Sequence, residues 1–151
     1  MAYEPLLAPR LKNLSHYKES DRQYAYFTRL AIRCCVGTPR FRPNSIFAKA
    51  RSFGRKGEAQ FIDTPELTPG ERLWAIYQHR VALVVLKALE RRPGGIEDFA
   101  EDLGVALDWL QRQLHGQSPA DLEVMLTWTL ALHIEPPSMA DVWEIVFAEM
   151  T

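Results

Sequence analysis

Several features that mark large classes of protein are scarce or missing in this 151-residue sequence. The longest unbroken apolar run, residues 81–86, is far shorter than the ~20 residues that a membrane helix needs, so we expect no membrane association. The N-terminus has no apolar core followed by a small-residue cleavage site, which predicts that no secretory signal is present. The only two cysteines, Cys34 and Cys35, are adjacent, and such neighbours rarely bridge each other. We therefore expect reduced thiols in a cytoplasmic protein.

Motifs for catalysis and cofactor binding are also missing. The Pro93-Gly94-Gly95 stretch has neither a Lys-Ser/Thr pair nor a preceding strand, so it is not a phosphate-binding loop. We interpret His79 and His133 as core or surface histidines. The four histidines are too far apart in sequence for a local metal site: His16, His79, His115 and His133. The sequence therefore predicts a protein that is not an enzyme and that has no cofactor and no metal.

The net charge of −1 conceals a strong asymmetry along the chain. Residues 1–60 contain 12 Lys and Arg against 4 Asp and Glu, a balance of +8. Residues 61–151 contain 6 against 15, a balance of −9. Such a division indicates either that the two halves attract each other or that they face different partners.

The N-terminal part, residues 1–67, is predicted to hold one helix and a basic arm. The helix begins at Ser20 as its N-cap, carries an apolar stripe, and ends before Gly37 and Pro39. This region accounts for the whole positive balance of the chain, so its function is central to the two hypotheses that follow.

The basic arm, residues 40–57, contains cations interleaved with phenylalanines and no acid. A short helix from Asn44 or Ser45 through Arg51 is expected, with loop around it. Two interpretations of the arm stay open: it tracks DNA phosphates, or it is a solvated loop whose phenylalanines enter the core and whose cations pair with the acidic half. Its cations and phenylalanines are Arg40, Arg42, Lys49, Arg51, Arg55, Lys56, Phe41, Phe47 and Phe53.

The remainder, residues 68–151, is predicted to be a helical domain. The sequence Thr68-Pro69-Gly70-Glu71 is typical of a capping box with proline at the first helical position, so a long central helix is expected to follow. Ser118 and Ser138 are predicted to cap two later helices, and the second of these spans residues 139–150. No convincing strand is found, so the predicted fold class is an all-α helical bundle.

Between these helices, residues 96–116 predict two short helices joined at a glycine. The stretch contains Phe99-Ala100, Leu103-Gly104-Val105, Leu110 and Gly116. In these residues it resembles the helix-turn-helix of Cro/C1-type DNA-binding proteins, and the resemblance covers roughly residues 68–134. The resemblance implies that Ala100 is small because the second helix crosses over it, and that Gly104 makes a left-handed turn that costs other residues ~1–2 kcal/mol.

The resemblance implies that the second helix lies in the major groove. On that helix Gln111, Arg112 and His115 are the expected base contacts, because Gln suits adenine and Arg suits guanine. The expected DNA backbone contacts come from the six cations of the basic arm, as N-terminal arms of some helix-turn-helix proteins provide.

The same stretch departs from the family's pattern. Ile96 stands where the first helix has a polar residue, and Gln113 stands where an apolar anchor is expected, with Leu114 beside it as a candidate. The two helices also carry five carboxylates: Glu97, Asp98, Glu101, Asp102 and Asp108. DNA affinity is built largely from neutralised phosphates. Either the positive charge comes from elsewhere, or the fold is a scaffold that no longer binds DNA.

Two functions are therefore weighed. The first is a cytoplasmic, nucleoid-associated transcriptional regulator of bacterial or phage type that binds double-stranded DNA, expected as a homodimer. Its dimer surface is Trp143, Val146 and Phe147 of the last helix, unless that helix simply packs onto the core. The second is a protein–protein interaction module on a helix-turn-helix scaffold, whose acidic face binds a basic protein partner.

Overall fold

A computed structural model describes residues 41–57 and 61–150 of the chain. The helix predicted from Ser20 and the cation Arg40 lie outside these residues. The described part contains five α-helices and no β-strand, which confirms the all-α class. The helices are α1 (Pro69–Glu90), α2 (Gly95–Leu103), α3 (Leu107–Leu114), α4 (Leu122–Ala131) and α5 (Met139–Met150).

Helix α1 begins as the sequence predicts. The hydroxyl of Thr68 accepts a hydrogen bond from the Glu71 backbone N–H at 3.1 Å, and the Glu71 carboxylate accepts one from the Thr68 N–H at 2.9 Å. Pro69 occupies the first turn, where its missing N–H leaves no bond unmade. Residues 73–79 are all buried, so about two turns of α1 are surrounded on every side. The prediction of a central core helix is confirmed.

The start of α4 differs from the prediction. Ser118 is not its cap: the helix begins at Leu122, and the carboxylate of Asp121 accepts the hydrogen bond from the Val124 N–H at 2.8 Å. The residues before it are bonded to Gln78 of α1. The Gln78 side-chain amide donates to the Ser118 carbonyl at 3.0 Å, and its oxygen accepts from the Ala120 N–H at 2.8 Å. These bonds hold residues 118–120 out of the helix.

The basic arm also folds differently from the expected single helix. It contains two short 3₁₀ turns, Pro43–Ile46 and Ala50–Ser52, and the first is preceded by Arg42 rather than by a side-chain cap at Asn44 or Ser45. Asn44 is engaged elsewhere, because its backbone N–H donates to the Gly116 carbonyl at 2.9 Å. Asn44 therefore bonds to the chain after α3, and no α-helix begins at it.

The three phenylalanines of the basic arm are buried in the hydrophobic core. Phe41 packs edge-on against Trp74 of α1, with 6.1 Å between ring centroids. Phe47 and Phe53 both meet the ring of His79, at 4.8 and 5.3 Å. The interpretation of the arm as a solvated loop included the expectation that its phenylalanines enter the core, and that expectation is confirmed. The phenylalanines anchor the arm on α1.

We predict that Gln78→Leu destabilises the protein by about 3 kcal/mol. The substitution leaves the Ala120 N–H and the Ser118 carbonyl without their buried partner, at roughly 1–3 kcal/mol for each group that stays unsatisfied. The Gln113 carbonyl also loses a bond but keeps the N–H of Gly116. Urea denaturation measures the loss, and Gln117→Leu at an exposed position is the control. Equal stability of the two variants would show that Gln78 does not organise residues 118–120.

Candidate functional site

The site proposed from the sequence centres on α2 and α3. Gly104 ends α2 with a φ of +70°, and its N–H bonds to the carbonyls of Ala100 and Glu101. Ala100 and Leu110 are buried on the inner sides of the two helices. A left-handed glycine thus turns the chain between two short helices whose small and apolar residues face the core.

The outer side of α3 carries the residues predicted to contact bases. Arg112 is exposed, whereas Gln111 and His115 are half-buried. Arg112 forms an ion pair with Asp108 one turn earlier, at 3.0 Å. Gln113 is buried, and Leu114 beside it is fully buried and occupies the core as an apolar anchor would.

Helix α2 presents an acidic side to solvent. The carboxylates of Glu97, Asp98, Glu101 and Asp102 are all exposed. Asp102 forms an ion pair with Arg92, whose guanidinium also lies 5.6 Å from the ring centroid of Phe99. This pair uses a cation from the end of α1 and none from the basic arm.

The basic arm is fastened beside the C-terminal end of α3. Besides the bond from its N–H to Gly116, Asn44 donates a side-chain hydrogen bond to the His115 carbonyl at 3.3 Å. Ten residues further along the chain, the Gly54 N–H donates to Nδ1 of His79 at 2.8 Å. The side-chain bond of Asn44 and the bond of Gly54 join residues that are 71 and 25 positions apart in sequence. No local sequence pattern predicts them.

The cations of the basic arm point outward. All five in the described residues are exposed: Arg42, Lys49, Arg51, Arg55 and Lys56. Within residues 41–57 and 61–150 none of them forms an ion pair. The pairing of arm and acidic half is therefore not seen for these five cations, and Arg40 lies outside the described residues.

The side chain of His79 contacts the basic arm inside the core. The rings of Phe47, Phe53 and Phe61 surround it at 4.8 to 5.6 Å, and its Nε2 has no hydrogen-bond partner in the part of the chain described here. Burial, with a smaller contribution from the charge of Arg80, lowers the pKa of His79 to about 4. The neutral imidazole can accept the Gly54 N–H, and sequence analysis did not identify this role.

The surroundings of His115 and Gly116 show that the arm lies close to the end of α3. Partial burial and then the nearby positive charge of Arg55 lower the pKa of its imidazole. Gly116, which follows it, has a φ of +70°, and a Cβ at this position would lie 2.8 Å from the Phe53 ring and 2.9 Å from the Asn44 nitrogen. The arm and the end of α3 are in direct contact here because residue 116 has no side chain.

The proposed dimer surface on α5 needs one correction. Val146 is only 3% exposed and belongs to the core, so it cannot contribute to a surface. Trp143 and Phe147 are 39% and 54% exposed, and their rings stack with 6.2 Å between centroids. Of the three residues predicted to form this surface, Trp143 and Phe147 are therefore the exposed ones.

Among residues 41–57 and 61–150, no helix combines the length and the hydropathy needed to cross a bilayer. The same residues contain no group of three or more His, Cys, Asp or Glu side chains that could hold a metal ion. The chain matches no protein-family model, and comparisons with curated proteins and with solved structures find no significant match.

We predict that Gly116→Ala destabilises the protein by about 3 kcal/mol, whereas Gly104→Ala costs about 1 kcal/mol. Both glycines have a φ of +70°, so both variants carry left-handed strain. Only at Gly116 does the new methyl group also meet the Phe53 ring and the backbone of Asn44, which adds an overpacking penalty. Chemical denaturation of the two variants measures the difference. Similar losses would mean that the arm yields easily at this contact.

We predict that stability falls as the pH drops from 6.5 to 4, because unfolded His79 binds a proton in this window and the folded form does not. With a folded pKa of about 4 against 6.5, the loss is about 3 kcal/mol and levels off below pH 4. His79→Phe should lose this part of the fall, and it starts from lower stability because the Gly54 N–H lacks its acceptor. His133→Gln, at an exposed position, is the control that keeps the fall. An identical pH dependence of His79→Phe and the unaltered protein would refute the assignment.

Proposed function

We propose that this protein is a transcriptional regulator of bacterial or phage type that binds double-stranded DNA. In this proposal α2 and α3 act as a helix-turn-helix, and the basic arm supplies the phosphate contacts. The observation that carries the proposal is the fixed position of the arm. It is bonded through Asn44 to the residues at the C-terminal end of α3, and its exposed cations form no ion pair among the described residues.

The position of the arm would offset the negative charge of α2 and α3. Together they present five carboxylates and the single cation Arg112, a balance that repels phosphates. The arm adds five exposed cations in the described residues and anchors them through Asn44 and Gly54. An anchored cation loses less conformational freedom on binding than one on a free tail, so each phosphate contact costs less entropy.

Base contacts in this proposal come from the exposed side of α3. Gln111 suits the paired donor and acceptor of adenine, and Arg112 suits the two acceptors of guanine. The ion pair between Arg112 and Asp108 joins two exposed side chains, and such pairs contribute only ~0–1 kcal/mol. DNA can therefore replace Asp108 as the partner of Arg112 at little cost in free energy.

A homodimer completes the proposal. One helix-turn-helix contacts a single half-site, and two copies related by a twofold axis double the contacts. The stacked rings of Trp143 and Phe147 provide an exposed aromatic surface for such an association. The regulator would then reside at the nucleoid.

The second candidate function is a protein–protein interaction module. The exposed carboxylates of α2 favour it, because only one of the four forms an ion pair within the described residues, namely Asp102. The other three are Glu97, Asp98 and Glu101. A basic protein surface would complement them. Under this proposal the basic arm faces a different partner, or the arm contributes only its phenylalanines to the core.

We predict that the full chain binds a mixed-sequence DNA duplex with an affinity that falls steeply between ~50 and ~200 mM salt, because phosphate contacts release counterions. Fluorescence anisotropy measures the binding. Changing Arg40, Arg42, Arg51 and Arg55 to Ala should abolish it. The control changes Lys87 and Arg91 to Ala, two exposed cations outside the arm and α3, and should bind nearly as the unaltered protein does.

Absence of binding even at ~50 mM salt would eliminate the DNA-binding proposal. The acidic side of α2 would then be tested directly, by asking whether a basic peptide binds the unaltered chain and fails to bind after Glu97→Gln with Glu101→Gln.

A further inference from the structure

The cations of the basic arm fall into two groups with different positions relative to α3. The arm meets the end of α3 at Asn44, through the bonds to His115 and Gly116, and again at Phe53 and Gly54, which lie close to Gly116 and to the Leu114 carbonyl. Between these contacts residues 48–51 are all exposed, whereas residues 52–54 are buried, and the exposed stretch 48–51 is called the bulge.

Arg42 and Arg55 flank the two contact points, and Lys56 follows Arg55. They therefore lie at the junction where the arm meets α3. Electrostatics place Arg55 there independently, since its charge acts on the imidazole of His115. Lys49 and Arg51 lie instead on the exposed bulge, between the two regions of contact.

The opposite end of α3 has the reverse charge. Its first turn contains Asp108 and no cation, and the preceding helix α2 adds the exposed Glu97 and Glu101. Asp108 and His115 are about 10 Å apart along the helix axis at 1.5 Å per residue. That is roughly one Debye length at physiological salt, so the carboxylates at one end do not cancel the cations at the other.

We propose that duplex DNA docks at the junction between the basic arm and the C-terminal end of α3, and not along the N-terminal half of α3. At this junction Arg42, Arg55 and Lys56 contact phosphates. Arg112 and His115, from the last turn of α3 and the residue that follows it, face the base edges. This inference rests on the proposed DNA-binding function and specifies the surface that performs it. It differs from the usual helix-turn-helix geometry, in which the start of the second helix contacts the bases.

Two matched double variants of the full chain test the location. Arg42→Gln with Arg55→Gln removes two cations at the junction, and Lys49→Gln with Arg51→Gln removes two from the bulge. Both pairs change the net charge equally, and all four side chains are exposed, so neither pair should unfold the protein. Circular dichroism and the thermal midpoint check that the fold is kept.

The readout is the slope of log K against log salt for duplex binding by fluorescence anisotropy. Each lost phosphate contact reduces the slope by ~0.9, so the junction pair should reduce it by about 2 and weaken binding at ~100 mM salt on the order of 50-fold. The bulge pair, whose cations lie between the contacts with α3, should reduce the slope by less than ~1 and weaken binding less than ~10-fold at the same salt.

Equal effects of the two pairs, or a larger effect of the bulge pair, overturn docking at the junction and leave DNA binding intact. No binding by the unaltered chain refutes the proposed function itself. The two failures are therefore distinguishable within one series of titrations.

Discussion

Two consecutive buried side chains of α1, Gln78 and His79, hold the irregular parts of this fold. Neighbouring residues on a helix point about 100° apart, so the pair serves two different sides of α1. Gln78 bonds to the backbone at residues 113, 118 and 120, and His79 accepts the N–H of Gly54. Buried backbone groups outside helices need partners, and here a core helix supplies them from side chains. The basic arm and the chain after α3 are positioned by this requirement.

Local signals were sufficient where a structure is decided within a few residues. The capping box at Thr68, the central helix and the all-α class followed from spacing and composition. Local signals failed where two residues could cap the same helix. Ser118 and Asp121 both have side chains that can cap α4, and the use of Asp121 depends on Gln78, some 40 residues away. Propensity is a weak prior when a distant buried amide binds the same backbone groups.

The candidate site was predictable in its residue types and not in its arrangement. The cations, phenylalanines and carboxylates are visible in the sequence, and their burial follows from hydrophobicity. Their proximity depends on Asn44, whose backbone and side chain bond to residues 115 and 116, and on Gly116, whose lack of a Cβ admits the Phe53 ring. The resemblance includes both Gly104 and Gly116, and at Gly104 a Cβ would meet nothing within 4 Å. The tighter constraint is at the second glycine.

The acidic α2 and the cationic arm can coexist on one small domain because each is held in place separately. If the arm were free, attraction between opposite charges would draw it across the carboxylates and both would be neutralised. Phe41, Phe47 and Phe53 prevent this, since pulling them from the core costs ~1.5–3 kcal/mol each, more than an exposed ion pair of ~0–1 kcal/mol returns. Hydrophobic anchoring therefore preserves the separation of charge, and that separation gives the surface one end that repels phosphates and one end that attracts them.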